Sequence, residues 1–260
     1  MQQVTRKTLG AGINLTCVTT PKFKRAVLRA MLVLPLGGED AALRACLPQV
    51  LRRGTARLND MQAFGTALDE LYGARIEAAV RKEGENLCIG FLSDCIDEAY
   101  APGADGLTAG VIGLLCDLLY DPYLQDGLFC AAYVEGERGN LIDRIAALKN
   151  DPRSWAPRRL NEIMCENEDY GKSALGTIEQ AERITPQTLY AAYRRALSEA
   201  QVELFYCGTM MPDEVEAHFM ATPLAQPREG TLYHPHTVVQ ARPAGDVREV
   251  VEDAEVTQGK

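Results

Sequence analysis

A change of hydrophobic period near Gly37 divides the first part of the chain into strands followed by helices. Before this point, residues 3–9, 13–19 and 23–36 have the composition and length of strands, and the last strand ends at Gly37-Gly38. After it, apolar residues recur at the spacing of one helix face, and they are Leu43, Cys46, Leu47, Val50 and Leu51. The chain must therefore combine a sheet with helices.

A proline and a cap set the limits of the first two predicted helices. Pro48 interrupts the first helix, because its ring removes one backbone hydrogen bond and kinks the axis, at a cost of about 3 kcal/mol unless the surroundings accommodate it. Asn59-Asp60 caps the second helix and Gly73 ends it. The buried face of this second helix is predicted to contain Met61, Phe64, Leu68, Leu71 and Tyr72.

The remaining segments continue the alternation of strands and helices. Two strands joined by a Lys-Glu-Gly-Glu turn predict a hairpin at residues 75–81 and 86–93. Another strand is predicted at residues 202–207. Further helices are predicted at residues 105–120, 129–149 and 154–167, from Thr185-Pro186 onward, and at residues 212–219. This order is typical of an α+β fold in which helices pack on one face of an antiparallel sheet.

The composition changes near residue 222 and divides the chain into three parts. Residues 1–222 are predicted to form one α+β domain. Residues 223–246 contain four prolines and no helical period, which is typical of a linker. Residues 247–260 return to strand-like alternation, and we expect them to begin a second, truncated domain of a longer protein.

Charge and apolar patterning exclude two classes of partner. The chain has 36 acidic and 27 basic residues, giving a net charge of −9, so nucleic acid is not expected as a primary partner. No segment reaches the roughly 18 apolar residues of a membrane span, and the N-terminus lacks an apolar signal core. The eight cysteines include no C-x-x-C pair and are interpreted as reduced thiols. We therefore expect a cytoplasmic protein that binds neither nucleic acid nor membrane.

The histidines decide which catalytic chemistry the chain can carry. There are only three, His218, His234 and His236, so neither HExxH nor HxxEH can occur before them. The last two lie in the predicted linker and are interpreted as incidental surface residues. The sequence also lacks GxSxG and the phosphate-binding pattern GxxxxGK[ST]. Two glutamate pairs are candidate acid–base groups that we expect on solvated helical faces, Glu135 with Glu137 and Glu166 with Glu168.

The order of motifs in the first domain resembles a known family. TPKFKRAVLRAMLVLPLGGED is followed by a helix reaching RRGT, by a helix ending LDELYGA, and by a hairpin. This order is similar to the N-terminal domain of the insulinase (pitrilysin-type) zinc metallopeptidases, and most similar to their YfmF-like subgroup, which lacks the HxxEH motif. The resemblance covers residues 1–222. It implies a LuxS/mitochondrial processing peptidase-like α+β domain.

The resemblance also implies where the zinc site of the active relatives would fall. Alignment through Gly54-Thr55 places Ala45 and Gln49 at the two histidine ligands of HxxEH, and Pro48 at the glutamate that activates water. In the downstream helix ERGNLIDRIAALKNDPRSWA, the family's supporting glutamate corresponds to Glu137. The family's third ligand then corresponds to Arg144, or alternatively to Asp143.

These replacements imply that the family cofactor, zinc, is absent and that the chain is not catalytic. Alanine and proline offer no ligand atom, a glutamine alone binds zinc poorly, and an arginine beside the site opposes a dication.

Pairing is the other implication of the resemblance. In this family a degenerate subunit can pair with an active one, as in the mitochondrial processing peptidase, so the expected partners are an HxxEH-bearing subunit in a heterodimer and a peptide that is processed there. The peptide adds as a strand to a sheet edge. The corresponding edge residues are Arg75, Ile76, Glu77, Ala78, Ala79 and Val80.

Two alternative functions remain open from the sequence. The protein could be an active zinc-dependent endopeptidase with unconventional or partner-supplied ligands. It could also be a purely structural assembly module that never holds peptide.

Overall fold

The computed structural model describes residues 2–103, 105–226, 228, 230–236, 245 and 247–252. Its strands are β1 Gln3–Gly10, β2 Ile13–Thr19, β3 Arg25–Pro35, β4 Arg75–Glu83, β5 Asn86–Ile96, β6 Leu124–Gln125, β7 Leu128–Phe129 and β8 Gln201–Gly208. Its α-helices are α1 Ala41–Leu51, α2 Met61–Glu70, α3 Leu107–Tyr120, α4 Ala131–Ala147, α5 Pro152–Met164, α6 Ile178–Glu182, α7 Pro186–Glu199 and α8 Pro212–Met220. Among these described residues, no helix is long and apolar enough to cross a bilayer.

One six-stranded sheet organises the fold, in the order β1-β2-β8-β3-β5-β4. The strand β3 lies inside the sheet and pairs with both β8 and β5. The predicted α+β class is confirmed, but the sheet is mixed rather than wholly antiparallel, because β2 and β8 run parallel. These two strands are separated by most of the helices, and only a long crossover of that kind can return a chain to a parallel neighbour.

The helices cover one face of this sheet and form the main core with it. Inward side chains of the central strands, such as Leu28 and Leu204, join helical residues such as Leu47, Leu115 and Leu189 in one apolar cluster. All five side chains are almost completely buried. Burial of each leucine contributes about 1.5–3 kcal/mol, so this layer holds α1 firmly against the sheet.

A second, smaller cluster lies on the other face of the sheet. Met31, Val33, Ala79 and Cys88 are buried there, and Tyr233 packs against them. The Tyr233 hydroxyl also donates a 2.7 Å hydrogen bond to the side-chain oxygen of Asn86 on β5. The described part of the predicted linker therefore contacts the first domain.

The predicted domain boundaries remain predictions. Residues 227, 229, 237–244 and 246 of the linker and residues 253–260 of the expected second domain lie outside the described residues. Residues 247–252, which are described, form neither helix nor strand.

Two features of the predicted helices differ from the structure. The helix α1 is not interrupted at Pro48, which is buried, and the backbone N–H of Arg52 donates to the Pro48 carbonyl. In α2, Phe64 is buried as predicted, but Met61 is 38% exposed and Tyr72 is 56% exposed. Tyr72 leaves the helical period because it follows the end of the helix in a left-handed conformation, with φ 57°.

Candidate functional site

The helices α1 and α4 border a solvent-open cavity of about 510 Å³. Its lining residues come from these two helices alone, and they are Ala45, Cys46, Gln49, Glu137, Asn140, Leu141, Asp143 and Arg144. The structure thus brings together five of the six residues that the sequence places at the degenerate zinc site. The sixth, Pro48, is buried on α1 and does not line the cavity.

The wall contributed by α1 offers little to a cation. Ala45 and Gln49 are four residues apart and therefore project from the same helix face, one turn from each other. Ala45 is completely buried and has no polar atom. Burial raises the pKa of the Cys46 thiol to about 12. This thiol therefore keeps its proton at neutral pH, whereas a metal would require the thiolate.

The wall contributed by α4 contains a buried carboxylate that is already neutralised. Glu137 is 7% exposed, so it does not lie on the solvated face that its sequence context predicts. The Arg53 guanidinium donates from Nε to Glu137 Oε1 at 2.7 Å and forms an ion pair with the same oxygen. Asn140 Nδ2 donates to the other oxygen, Oε2, at 3.1 Å. The Arg53 guanidinium also lies 5.9 Å from the ring centroid of Tyr133.

The Gly54-Thr55 turn positions Arg53 for this contact. A Cβ atom at Gly54 would lie only 2.6 Å from the backbone oxygen of Leu58, so a larger residue does not fit without displacing the backbone. Thr55 is fully buried, and its backbone N–H donates to the same Leu58 oxygen. The turn therefore closes tightly behind α1 and directs Arg53 toward α4. The sequence patterns do not identify Arg53 or Asn140 as site residues. Two features of the sequence could have indicated them: Arg53 directly precedes Gly54-Thr55, and Asn140 follows Glu137 by three residues, which places both on one helix face.

Asp143 and Arg144 both line the cavity but occupy different sectors of α4. At about 100° per residue, Arg144 lies within about 20° of the direction of Glu137, and Asp143 lies about 120° away from it. Arg144 therefore follows Glu137 along one stripe of α4, and Asp143 projects in a different direction. This spacing favours Arg144 as the counterpart of the family's third ligand.

The predicted peptide-binding segment forms part of β4, which is an edge strand of the sheet. Arg52 Nε, just beyond α1, donates to the Ile76 carbonyl at 2.6 Å, so the end of the site helix lies against this strand. Along the strand, Ile76 and Ala79 are buried and Arg75 and Glu77 are exposed. The segment also contains the half-buried residues Ala78 and Val80. The location at an edge agrees with the prediction; peptide binding there remains a prediction.

The residues of the cavity do not fit zinc. In the described part of the chain, no group of three or more His, Cys, Asp or Glu residues is arranged to hold a metal ion. The buried carboxylate of Glu137 is bound by Arg53, and the next residue on its stripe is the cation Arg144. None of the three histidines lines the cavity. The lining residues therefore do not form a set of ligands for zinc.

Two helices of this α+β domain thus border a cavity that offers no set of metal ligands among the described residues. No family model matches the chain. The chain is 30% identical over 255 residues to "Probable inactive metalloprotease YmfF" of Bacillus subtilis (strain 168), covering 98% of this chain and 59% of that protein. It therefore spans little more than half of the relative that it matches.

Two solved structures share the fold. A conserved protein from Enterococcus faecalis V583 superposes with a TM-score of 0.80 at 24% identity, covering 88% of this chain and 54% of that chain. A peptidase M16 inactive domain from Pseudomonas fluorescens superposes with a TM-score of 0.67 at 15% identity, covering 90% of this chain and 53% of that one. Both likenesses lie under 25% identity and show a shared fold alone, whereas the match to the Bacillus protein supports the resemblance to inactive insulinase-type relatives that the motifs predict.

Proposed function

We propose that this chain is a non-catalytic insulinase-family subunit that holds or positions a peptide beside an active, HxxEH-bearing metallopeptidase. The observation that carries the proposal is the cavity between α1 and α4. There the helices that would hold zinc are packed together, but Ala45 and Gln49 replace the ligands and Arg53 neutralises Glu137.

Peptide holding needs no metal. An exposed sheet edge offers unpaired backbone N–H and C=O groups, which can bind an extended peptide by main-chain hydrogen bonds. The strand β4 is at an edge of the sheet, and although Arg52 occupies its Ile76 carbonyl, this contact also brings the strand next to the site helix. A subunit of this kind would position a peptide and leave its cleavage to a partner.

A subunit that only holds a peptide needs a second, catalytic subunit to cleave it. The Bacillus relative is named an inactive metalloprotease, and the Pseudomonas neighbour an inactive peptidase domain. A protein that keeps a peptidase fold without ligands needs a second subunit if its peptide is to be cut. The eight cysteines are free, which supports a reducing compartment such as the cytoplasm.

Purification of the full-length protein from its own cell tests this proposal. We expect a co-purifying protein with an HxxEH motif, no stoichiometric zinc in the isolated subunit, and chelator-sensitive peptide cleavage only when both proteins are present. Zinc bound at about one ion per chain and lost on substitution of Gln49 or Asp143 would overturn the proposal and, with chelator-sensitive cleavage by the subunit alone, would favour an active peptidase with unconventional ligands. Failure to bind any extended peptide would leave only a structural role.

A further inference from the structure

The cavity contains polar side chains that have no partner within the described part of the chain. Arg144 makes no hydrogen bond or ion pair there, although it lines the cavity and carries a full positive charge. Gln49, opposite it on α1, is half-buried, and its amide makes no hydrogen bond to a described residue either. Because Arg144 is exposed and Gln49 is half-buried, both side chains reach solvent, and their N–H donors are available to a ligand in the cavity.

Two charged side chains of the cavity, Asp143 and Arg144, have no partner among the described residues. The negative charge of Glu137 is offset by Arg53, and its second oxygen accepts from Asn140. Of the two unpaired charges, Arg144 lies on the same stripe of α4 as Glu137, whereas helical spacing directs Asp143 about 120° away from it. An anion in the cavity would therefore pair with Arg144 and be repelled by Asp143.

We propose that this cavity binds a carboxylate group of the held peptide, with Arg144 as its charged partner and the Gln49 amide as a second donor. A guanidinium pairs with a carboxylate through two parallel hydrogen bonds, which gives both strength and direction. A cavity of about 510 Å³ is large enough for a chain end or an acidic side chain. This inference rests on the proposed function, because it assumes that the protein holds peptide.

A carboxylate can come from the peptide's C-terminus or from a Glu side chain, and four versions of one probe separate these sources. The probe is a short fluorescein-labelled peptide of alternating Thr and Val with one central Gln, prepared with a free or an amidated C-terminus. The other two versions carry Glu in place of Gln. Binding to the full-length protein is measured by fluorescence anisotropy. We expect the peptides with a carboxylate to bind about tenfold more tightly than the amidated Gln peptide.

Substitutions at the cavity test which residue recognises the carboxylate. Arg144→Gln is expected to weaken binding of the acidic peptides about tenfold and to leave the amidated Gln peptide unchanged. Asp143→Asn removes a negative charge that lines the cavity and is expected to strengthen binding of the acidic peptides about twofold. Arg153→Gln is the matched control, because Arg153 is an exposed arginine on α5 that does not line the cavity. Arg144 is itself exposed, so unfolding curves of the variants should coincide.

The possible failures are distinguishable. If all four peptides bind equally, and Arg144→Gln behaves like Arg153→Gln, the carboxylate site is wrong and peptide holding stands. If the folded protein binds none of the peptides, the proposed peptide-holding function is wrong, and the proposed carboxylate site is wrong as well. Unequal binding that survives Arg144→Gln would also overturn the assignment of Arg144.

Discussion

At the scale of single residues, the contact between Arg53 and Glu137 explains how a buried carboxylate is tolerated without a metal. A carboxylate with 7% exposure is costly unless it is paired and hydrogen-bonded. Arg53 supplies the charge and Asn140 supplies a hydrogen bond to the second oxygen. Arg53 thus neutralises Glu137, the residue that by resemblance corresponds to the glutamate supporting the metal site in active relatives.

Removal of Arg53 should therefore destabilise the fold. We expect Arg53→Gln to lower the free energy of unfolding by about 3 kcal/mol, because it leaves a buried charge without a partner. Arg53→Gln combined with Glu137→Gln should cost less than the sum of the two single changes, with a coupling of about 1–2 kcal/mol. Urea unfolding at neutral pH measures all three variants.

Glu135→Gln provides the control for this cycle. Glu135 lies on the same helix, but its side chain is exposed and its ion pair with Arg138 lies at the surface. Its removal should change the free energy of unfolding by less than about 0.5 kcal/mol. Equal effects of Arg53→Gln and Glu135→Gln would show that the buried pair has no special importance.

The sequence predicts the positions of this site better than its contacts. Gly54-Thr55 sets the alignment of α1 with the family motif. The seven-residue spacing from Glu137 to Arg144 sets the alignment of α4. The pairing of Arg53 with Glu137 joins residues 84 apart in the chain and depends on how the two helices pack. Sequence periodicity carries no information about a contact between distant helices. For this reason the sequence predicts Glu137 on a solvated helix face, whereas the structure buries it.

At the scale of elements, the structure makes β4 an edge beside the site helix. The strand pairs with β5 on one side, and Arg52 from the end of α1 binds the Ile76 carbonyl. Successive residues of a strand point their backbone N–H groups to opposite edges. One of the adjacent residues Ala78 and Ala79 therefore directs its N–H toward β5 and the other toward the free edge.

Proline substitutions at these two positions test peptide addition to β4. A proline that removes the outward N–H should leave the fold stable and weaken binding of an extended peptide about tenfold. A proline at the other position removes a bond to β5 and should destabilise the domain by about 3 kcal/mol. Thermal unfolding shows which of the two variants keeps its stability and has therefore lost the outward N–H group. The destabilised variant serves as its control. Unchanged peptide affinity in the stable variant would contradict binding at this edge.

Local sequence signals predict the individual elements well, but not the whole sheet. The helix α7 begins at Pro186 with Thr185 as its N-cap, as predicted, because a capping hydroxyl and a first-turn proline act locally. The hairpin of β4 and β5 is local in the same sense. The parallel pairing of β2 with β8 joins Ile13 to Val202, and no short-range pattern specifies a partner so distant in sequence.

At the scale of the whole molecule, the cysteines couple the stability of the core to alkaline pH. Burial raises the pKa of Cys46, Cys88, Cys95 and Cys116 from the ordinary 9.0 to about 12. Above pH 9 the unfolded chain releases these protons while the native chain retains them. A group with a raised native pKa stabilises the fold below its unfolded pKa, and this contribution is lost as the pH rises.

We therefore expect the free energy of unfolding to fall as the pH rises from 9.0 toward 12, by about 1.4 kcal/mol per pH unit for each such thiol. Cys46→Ala should lower stability at neutral pH through the cavity that it creates, yet flatten the alkaline slope by about one proton. Val50→Ala, one turn along α1, is the matched control, because it truncates the same core without removing a titrating group. Urea unfolding followed by circular dichroism, with a reductant present, gives both slopes. If Cys46→Ala and Val50→Ala lose stability in parallel across this range, the Cys46 thiol does not retain its proton in the native state as the structure requires.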